Sequence, residues 1–364
     1  MTTVSVSTVA QFETAMSHAN AAGSAGETIV LQAGVYKNLE VSKYTGTGPL
    51  LIESANASNQ AIIEGMSIDY SSNVTLANVA FSNANITSGI NNNFELNLYG
   101  SSNITVKNDT FAGPASTALA SAAGKGVYVH SDTNVTLSNN TFKYLLDGVQ
   151  NIGSNGVTEN ANTFTNIFDD GIDTAGTSNI TISGNSFTTF HTDATDAGHP
   201  DAIQFWTSGV SSNSNNIVVS NNTITRGSGA PVQGIFITSQ NSYGYSNVTI
   251  AGNTVTGGLG NGIWLDSTSN FSVTGNTIQP FTDQISRLLL TSDSNGSVTN
   301  NKVGSAIYTS AVSGVSLSGN STLAAIAAFV SNSASIAPTT SVTTVTTSTT
   351  SSSAPHTMIT SPHG

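Results

Sequence analysis

The chain contains no cysteine, which excludes disulfides and thiolate metal sites without fixing the compartment. Charge is scarce: 8% of the 364 residues are charged, with 8 Lys and Arg against 20 Asp and Glu. The net charge of −12 argues against unassisted nucleic-acid binding, because neutralising phosphates needs basic side chains. No apolar run approaches the length of a membrane span. The opening "MTTVSVSTVAQFETAM" lacks the basic and apolar regions of a standard signal peptide. Cytoplasmic residence, export by a signal elsewhere, or a missing leader all remain open at this point. No His pair has strong zinc-site spacing, and the glycines of "GSGAPVQG" and "GGLGNG" sit between strands, which excludes a phosphate loop.

What the chain does have is Asn, Ser, Thr and Gly in abundance alongside 37% hydrophobic residues. Disordered chains lack the Val, Ile and Phe found throughout here, so a turn-rich β architecture fits better. The sequence is also self-similar. "NVTLANVAF" (73–81), "NITVKNDTF" (103–111), "NVTLSNNTF" (134–142), "NITISGNSF" (179–187), "NIVVSNNTI" (216–224), "NVTIAGNTV" (247–255) and "NFSVTGNTI" (270–278) repeat one pattern. Each alternates apolar and polar residues with the period of a strand. A second short strand precedes most of them, as in "GVYV", "GVQN", "GIDT", "AIQF", "GIFI", "GIWL" and "LLLT".

Strands this short gain a core only by stacking as coils, each pairing in parallel with its equivalent one rung away at ~4.8 Å. The Asn residues at 140, 162, 185, 222, 253, 276 and 301 fit an internal ladder at the turns. That ladder explains the Asn-X-Ser/Thr sequences more simply than glycosylation. The first 50 residues differ. Val9, Phe12, Met16 and Ala19 share one helical face, Thr8 and Gln11 fit a capping box, and Gly23 ends the run. Such a helix would cover the open edge of the first coil, and "ETIVLQAGVYKNLEV" reads as the first strands. The expected organisation is therefore a cap over 1–50, β-helix coils over 51–336, and a Ser/Thr-rich tail or linker over 337–364.

The helical cap, "GETIVLQAGVY" and the successive "N-x-T-x-x-x-N-x-F" coils resemble the pectate-lyase-like right-handed parallel β-helix superfamily across roughly residues 5 to 335. The resemblance implies an all-β right-handed solenoid and, less specifically, action on polysaccharides.

Stacking turns scattered polar residues into columns. The position before each first-strand Gly holds Lys125, Asp147, Asp170, Asp201, Gln233, Asn261 and Arg287. A second outward column holds Tyr128, Gln150, Asp173, Gln204, Phe236, Trp264 and Leu290, and the next outward position adds His130, Trp206 and Asp266. Two long interruptions feed the same face. One carries His191, Asp193, Asp196 and His199; the other carries Arg226. Long loops on a rigid scaffold commonly carry function. A groove lined by aromatics and amides suits a sugar chain, while a plain solvated sheet face is the alternative. Asp170 and Asp201 should lie roughly 5 Å apart, so one pKa should rise or a cation should bind. An Asp general acid with a second Asp activating water, drawn from Asp147, Asp170, Asp173, Asp201 and His199, gives hydrolysis.

Two narrower resemblances diverge. "DDGID" followed by "PDAI" looks like the polygalacturonase motifs, which implies that Asp170 stands for the first motif's first Asp and Asp201 for the second of the Asp-Asp pair. Pro200 occupies the proton donor's place, and the Gly-His-Gly and Arg-x-Lys motifs are missing. His199 or a loop Asp would then supply the proton. The chain also resembles mannuronan epimerases and β-helical uronate lyases. That likeness implies Lys125, Tyr128 and His130 as the proton-abstracting set, with Ca²⁺ held by Asp170, Asp173 and Asp201. "DGIDTA" keeps the Gly and Asp of the epimerase motif without its Tyr and His. Substrate binding is expected at Trp206, Gln204, Phe236, Trp264, Gln233, His191 and Arg226. The composition further resembles bacterial exopolysaccharide enzymes exported by type I machinery, which implies a secreted or cell-surface location. A non-catalytic glycan-binding or surface-fibre role is the third reading.

Overall fold

Alternating apolar residues in short blocks can be buried only if each block lies on its neighbour, and that is how the chain is arranged. The computed structural model describes residues 2–22, 25–82, 94–115, 124–191, 200–305 and 307–326. One sheet stacks thirteen parallel strands, from Thr2–Val6 to Ser313–Ser318. A second set of twenty-one strands forms two further columns, joined where Ile62–Asp69 pairs with both Ala80–Ser82 and Phe94–Tyr99. A typical coil therefore has three sides, such as Lys125–His130, Thr133–Ser138 and Thr141–Lys143.

The inside of the solenoid is apolar. Phe81, Phe111, Phe142, Phe164 and Phe187 stack face to face with centroids 4.6–4.9 Å apart, flanked by columns of buried Val, Ile and Leu. At one corner the expected Asn ladder forms. Asn140, Asn162, Asn185, Asn222, Asn253 and Asn276 each donate a backbone N–H to the Oδ1 of the next Asn at 2.8–2.9 Å. Their Nδ2 atoms return a bond to carbonyls of the preceding rung, as Asn222 does to Ile182 at 2.9 Å. The corner exposes backbone donors that no strand can satisfy, and a buried orphan donor is costly. The carboxamide resolves this. A second, exposed ladder runs through the left-handed Asn at the head of each block, for example Asn216 to Asn179 at 2.7 Å and Asn247 to Asn216 at 3.0 Å. Asn tolerates that backbone region better than most residues.

The cap forms as read. The helix Val9–Ala22 begins with the Gln11 N–H bonded to Thr8 Oγ1 at 3.2 Å, while the Gln11 side chain takes the N–H of Ser7 at 2.7 Å, one residue before the Thr8 expected to complete the box. It buries Phe12, Ala15, Met16 and Ala19. Three features depart from the sequence reading. Thr2–Val6 is itself a strand, pairing in parallel with Glu27–Leu31 ahead of the expected first strand. The closing Thr-Phe of each block is a separate short strand, so coils have three sides where two strands were expected. At the last rungs a register shift between Asn261 and Ile263 sets Trp264 opposite Leu289; Leu290 faces Leu265 in the core. Gly23 and the segment 337–364 lie outside the described residues. Among those described, no helix is long and apolar enough to cross a membrane.

Asn222→Ala removes an internal acceptor and strands the Asn185 N–H, so it should lower stability by about 1–3 kcal/mol. Asn216→Gly keeps the left-handed turn and should change stability by no more than about 0.5 kcal/mol. Chemical denaturation of the two variants checks the contrast.

Candidate functional site

The wall of interest is the column of first strands. Val127, Val149, Ile172, Ile203, Ile235 and Ile263 are in register, and the residue two places earlier in each coil stacks with its equivalents. Gly126, Gly148 and Gly171 donate their N–H to the carbonyls of Asp147, Asp170 and Asp201, each at 2.9 Å. An added Cβ at these glycines would lie 2.3–2.5 Å from the next rung's carbonyl oxygen and against the rings of Phe142, Phe164 and Phe187. The missing side chain lets the strand settle onto the Phe stack and fixes the direction of the preceding Asp.

Asp147, Asp170 and Asp201 thus occupy one wall in consecutive rungs. The Asp201 N–H bonds Asp170 Oδ1 at 2.9 Å, and the Asp170 N–H bonds Asp147 Oδ1 at 3.4 Å. Lys125 Nζ meets Asp147 Oδ2 at 2.7 Å. Gln204 Nε2 donates to Asp201 Oδ2 at 2.7 Å. One column outward, Asp173 accepts from Gln150 Nε2 at 2.7 Å and from the indole of Trp206. All of these carboxylates are buried, Asp201 completely and Asp170 to within 4%.

Burial raises the Asp170 carboxyl well above its ordinary value, helped by the charges of Asp169, Asp201, Asp173 and Asp147. Asp173 is pushed up to about 7, chiefly by burial, with the Gln150 and Trp206 bonds opposing. Burial alone would lower Lys125, but the Asp147 pairing outweighs it and holds the ammonium protonated above its usual range. Burial raises the Tyr128 phenol and lowers His130 and His191.

The remaining candidates divide. Asn261 Nδ2 donates to Gln233 Oε1 at 2.6 Å, continuing the polar column. Phe236 and Trp264 meet edge to face at 5.0 Å, and Trp264 Nε1 donates to Thr291 Oγ1 at 2.8 Å. His191 sits at the end of the strand Ser186–Phe190, against Phe168 and 2.9 Å from Asn166 Oδ1. Arg226 is engaged elsewhere: it forms a bidentate pair with Asp283 at 2.7 and 3.2 Å, donates to the Gly257 carbonyl, and lies over the Phe281 ring. His199, Asp193 and Asp196 lie outside the described residues.

Sequence reading passed over Asp169, although it adjoins Asp170 in the quoted "DDGID". It is buried, and its carboxylate oxygens gather with those of Asp147 and Asp170 within 4.8 Å. This trio differs from the one expected to hold Ca²⁺, with Asp169 and Asp147 in place of Asp173 and Asp201. Its all-oxygen donor set suits a hard cation. The missed signal was the doubled Asp.

Residues 33–187 and 116–347 match the family model described as the right-handed beta helix region. A search of curated proteins finds no match. Among solved structures the chain is similar to the Dettilon tailspike protein, at 16% identity and a TM-score of 0.57, covering 87% of this chain and 65% of that one. It therefore spans about two thirds of the tailspike. It is also similar to the surface adhesin PfbA of Streptococcus pneumoniae, at 13% identity, a TM-score of 0.57 and coverage of 84% and 88%. A family 6 polysaccharide lyase from Pseudopedobacter saltans aligns at 12% identity and a TM-score of 0.52, covering 86% and 92%. At these identities the likeness is one of fold.

Groups protonated in the folded chain and ionised when unfolded make stability fall as pH rises. Asp170 and Asp173 are of this kind, as are Asp132, Glu159 and Asp293, each raised to about 7 mainly by burial. Stability should therefore be greatest below the ordinary carboxylate range and decline through about pH 7. Thermal unfolding midpoints measured across that interval should decline less steeply in Asp173→Asn.

Proposed function

The chain belongs to the right-handed beta helix family, and on that footing we propose that it is a carbohydrate-active enzyme. In this reading it hydrolyses glycosidic bonds in an extracellular, uronate-containing polysaccharide. The observation that carries the reading is the run of Asp147, Asp170 and Asp201 on one wall, with Asp170 favouring its protonated form. Acid–base hydrolysis needs one carboxyl that keeps its proton and one that does not.

Asp170 then serves as general acid. It gives its proton to the glycosidic oxygen as the bond to the anomeric carbon breaks. Asp201, held by Gln204, takes a proton from the water whose oxygen adds to that carbon. Asp173 is oriented by Gln150 and Trp206, and Lys125 balances the charge of Asp147. Because the carboxylates are buried, substrate entry has to break the Gln204–Asp201 and Trp206–Asp173 bonds.

The acid trio supports a second reading, a Ca²⁺-dependent lyase or epimerase. Asp147, Asp169 and Asp170 would hold the ion, which neutralises the substrate carboxylate. Of the proton-abstracting set, Lys125 and Tyr128 are both shifted away from deprotonation, so His130, neutral at physiological pH, would take the proton alone. A non-catalytic glycan-binding role draws its support from the adhesin-like fold.

Asp170→Asn and Asp201→Asn should each cut depolymerisation by about 10² or more, measured by size-exclusion chromatography of a digested uronate polymer. No ultraviolet absorbance of an unsaturated uronate should accompany cleavage. Undiminished cleavage in both variants overturns hydrolysis; a rise in that absorbance together with loss of activity on chelation establishes the lyase.

A further inference from the structure

Beyond Lys125, toward the N-terminus, the same wall carries rings that the proposed chemistry does not use. Asp69, Tyr99, His130, Ile152, Ala175 and Trp206 are in register along it. The position just after holds Tyr70, Gly100, Ser131, Gly153 and Gly176, and all five have positive φ, between 49° and 62°. A bulky side chain is rare in that region, and most of its counterparts here are glycine. Tyr70 and, one rung further, Lys43 are the bulky exceptions. The Tyr70 ring fills the side of Gly100 that an added Cβ would take, 2.9 Å away.

The strained position produces no burial. Tyr70 is 54% and Tyr99 38% exposed, with their rings edge to face at 5.2 Å. Tyr99 lies 5.0 Å from His130, His130 is 5.3 Å from Tyr128, and Tyr128 stacks on Phe94 at 4.9 Å. Lys125 lies over Phe94 and reaches Asp147. A chain of ring contacts, in which Phe94 is buried, therefore runs from Lys125 across three rungs to the exposed Tyr99 and Tyr70. One rung further, Lys43 occupies the position of Tyr70 and is exposed.

An exposed aromatic strip leading to a polar site suits a ligand with one apolar face. We infer that Tyr70, Tyr99 and His130 form a subsite strip that binds successive pyranose rings of a glycan by stacking, leading the chain onto the acid wall. The rung spacing of ~4.8 Å approximates one sugar unit, and Lys43 at the far end offers a cation to an acidic substituent. The inference rests on the carbohydrate-active reading above and extends it to the side of the wall where the polymer lies.

Tyr70→Gly is the cleanest probe, because glycine prefers the backbone that tyrosine is forced to adopt. Affinity gel electrophoresis against alginate, polygalacturonate, xanthan and hydroxyethyl cellulose measures binding without turnover. Tyr70→Gly and Tyr99→Ala should each weaken the glycan bound by the parent about tenfold, in line with the loss of an aromatic anchor. The melting temperature of Tyr70→Gly should hold or rise. Parent-like affinity in both variants, or no binding of any of the four polymers by the parent, overturns the strip. Weakened binding alongside undiminished cleavage by Asp170→Asn would remove the proposed hydrolysis and leave the strip standing.

Discussion

A backbone N–H buried at the corner of a coil has no strand to pair with, and the way this chain supplies its partner organises everything else. The side-chain oxygen of the next rung accepts it. Asn does this along the interior ladder. Asp109 does the same one rung before Asn140 in that ladder, taking the Val79 N–H at 2.8 Å, and at another corner Asp132 takes the Ser101 N–H at 2.6 Å. Asp170 accepts the Asp201 N–H in the same manner. The acid wall is therefore built from the device that closes the solenoid. A carboxamide can replace the carboxylate there as an acceptor, so charge and architecture are separable at Asp170.

The scarcity of charge acquires meaning in this setting. Of the few carboxylates, Asp109, Asp132, Glu159, Asp170, Asp173, Asp201 and Asp293 are buried, and Lys125 and Arg226 are each committed to an acid. Burying ionised groups is expensive unless they are paired or neutralised. Burial instead holds several of them near the edge of ionisation, at the expense of stability as pH rises. The net charge of −12 also repels polyanions at long range.

Periodicity made the columns readable from sequence, because a side chain's place in a solenoid depends on its offset within the coil. Lys125, Asp147, Asp170, Asp201 and Gln233 were aligned correctly on that basis alone. Where no glycine marked the rung, at "RLLLT", the alignment slipped by one and Leu290 was set outward in place of Leu289. Other features needed three dimensions. Glu159 reads as an ordinary polar residue in "NGVTEN", yet it faces Leu137 and Ile182 and takes a bond from Asn151 at 2.6 Å inside the core. Arg226 shared a loop with turn residues, and nothing in its sequence context pointed to Asp283, 57 positions away. Tyr70 and Tyr99 lie in coils ahead of Lys125, where the columns legible from the sequence begin.

Successive members of the Asn ladder are separated by 22, 23, 37, 31, 23 and 25 residues, yet every rung-to-rung bond is 2.8–2.9 Å. Sequence length between rungs is thus decoupled from rung geometry. Added residues between rungs leave the ladder bonds untouched. A lineage built on this plan can lengthen or shorten the chain between rungs, or gain and lose whole coils, while inheriting the same wall.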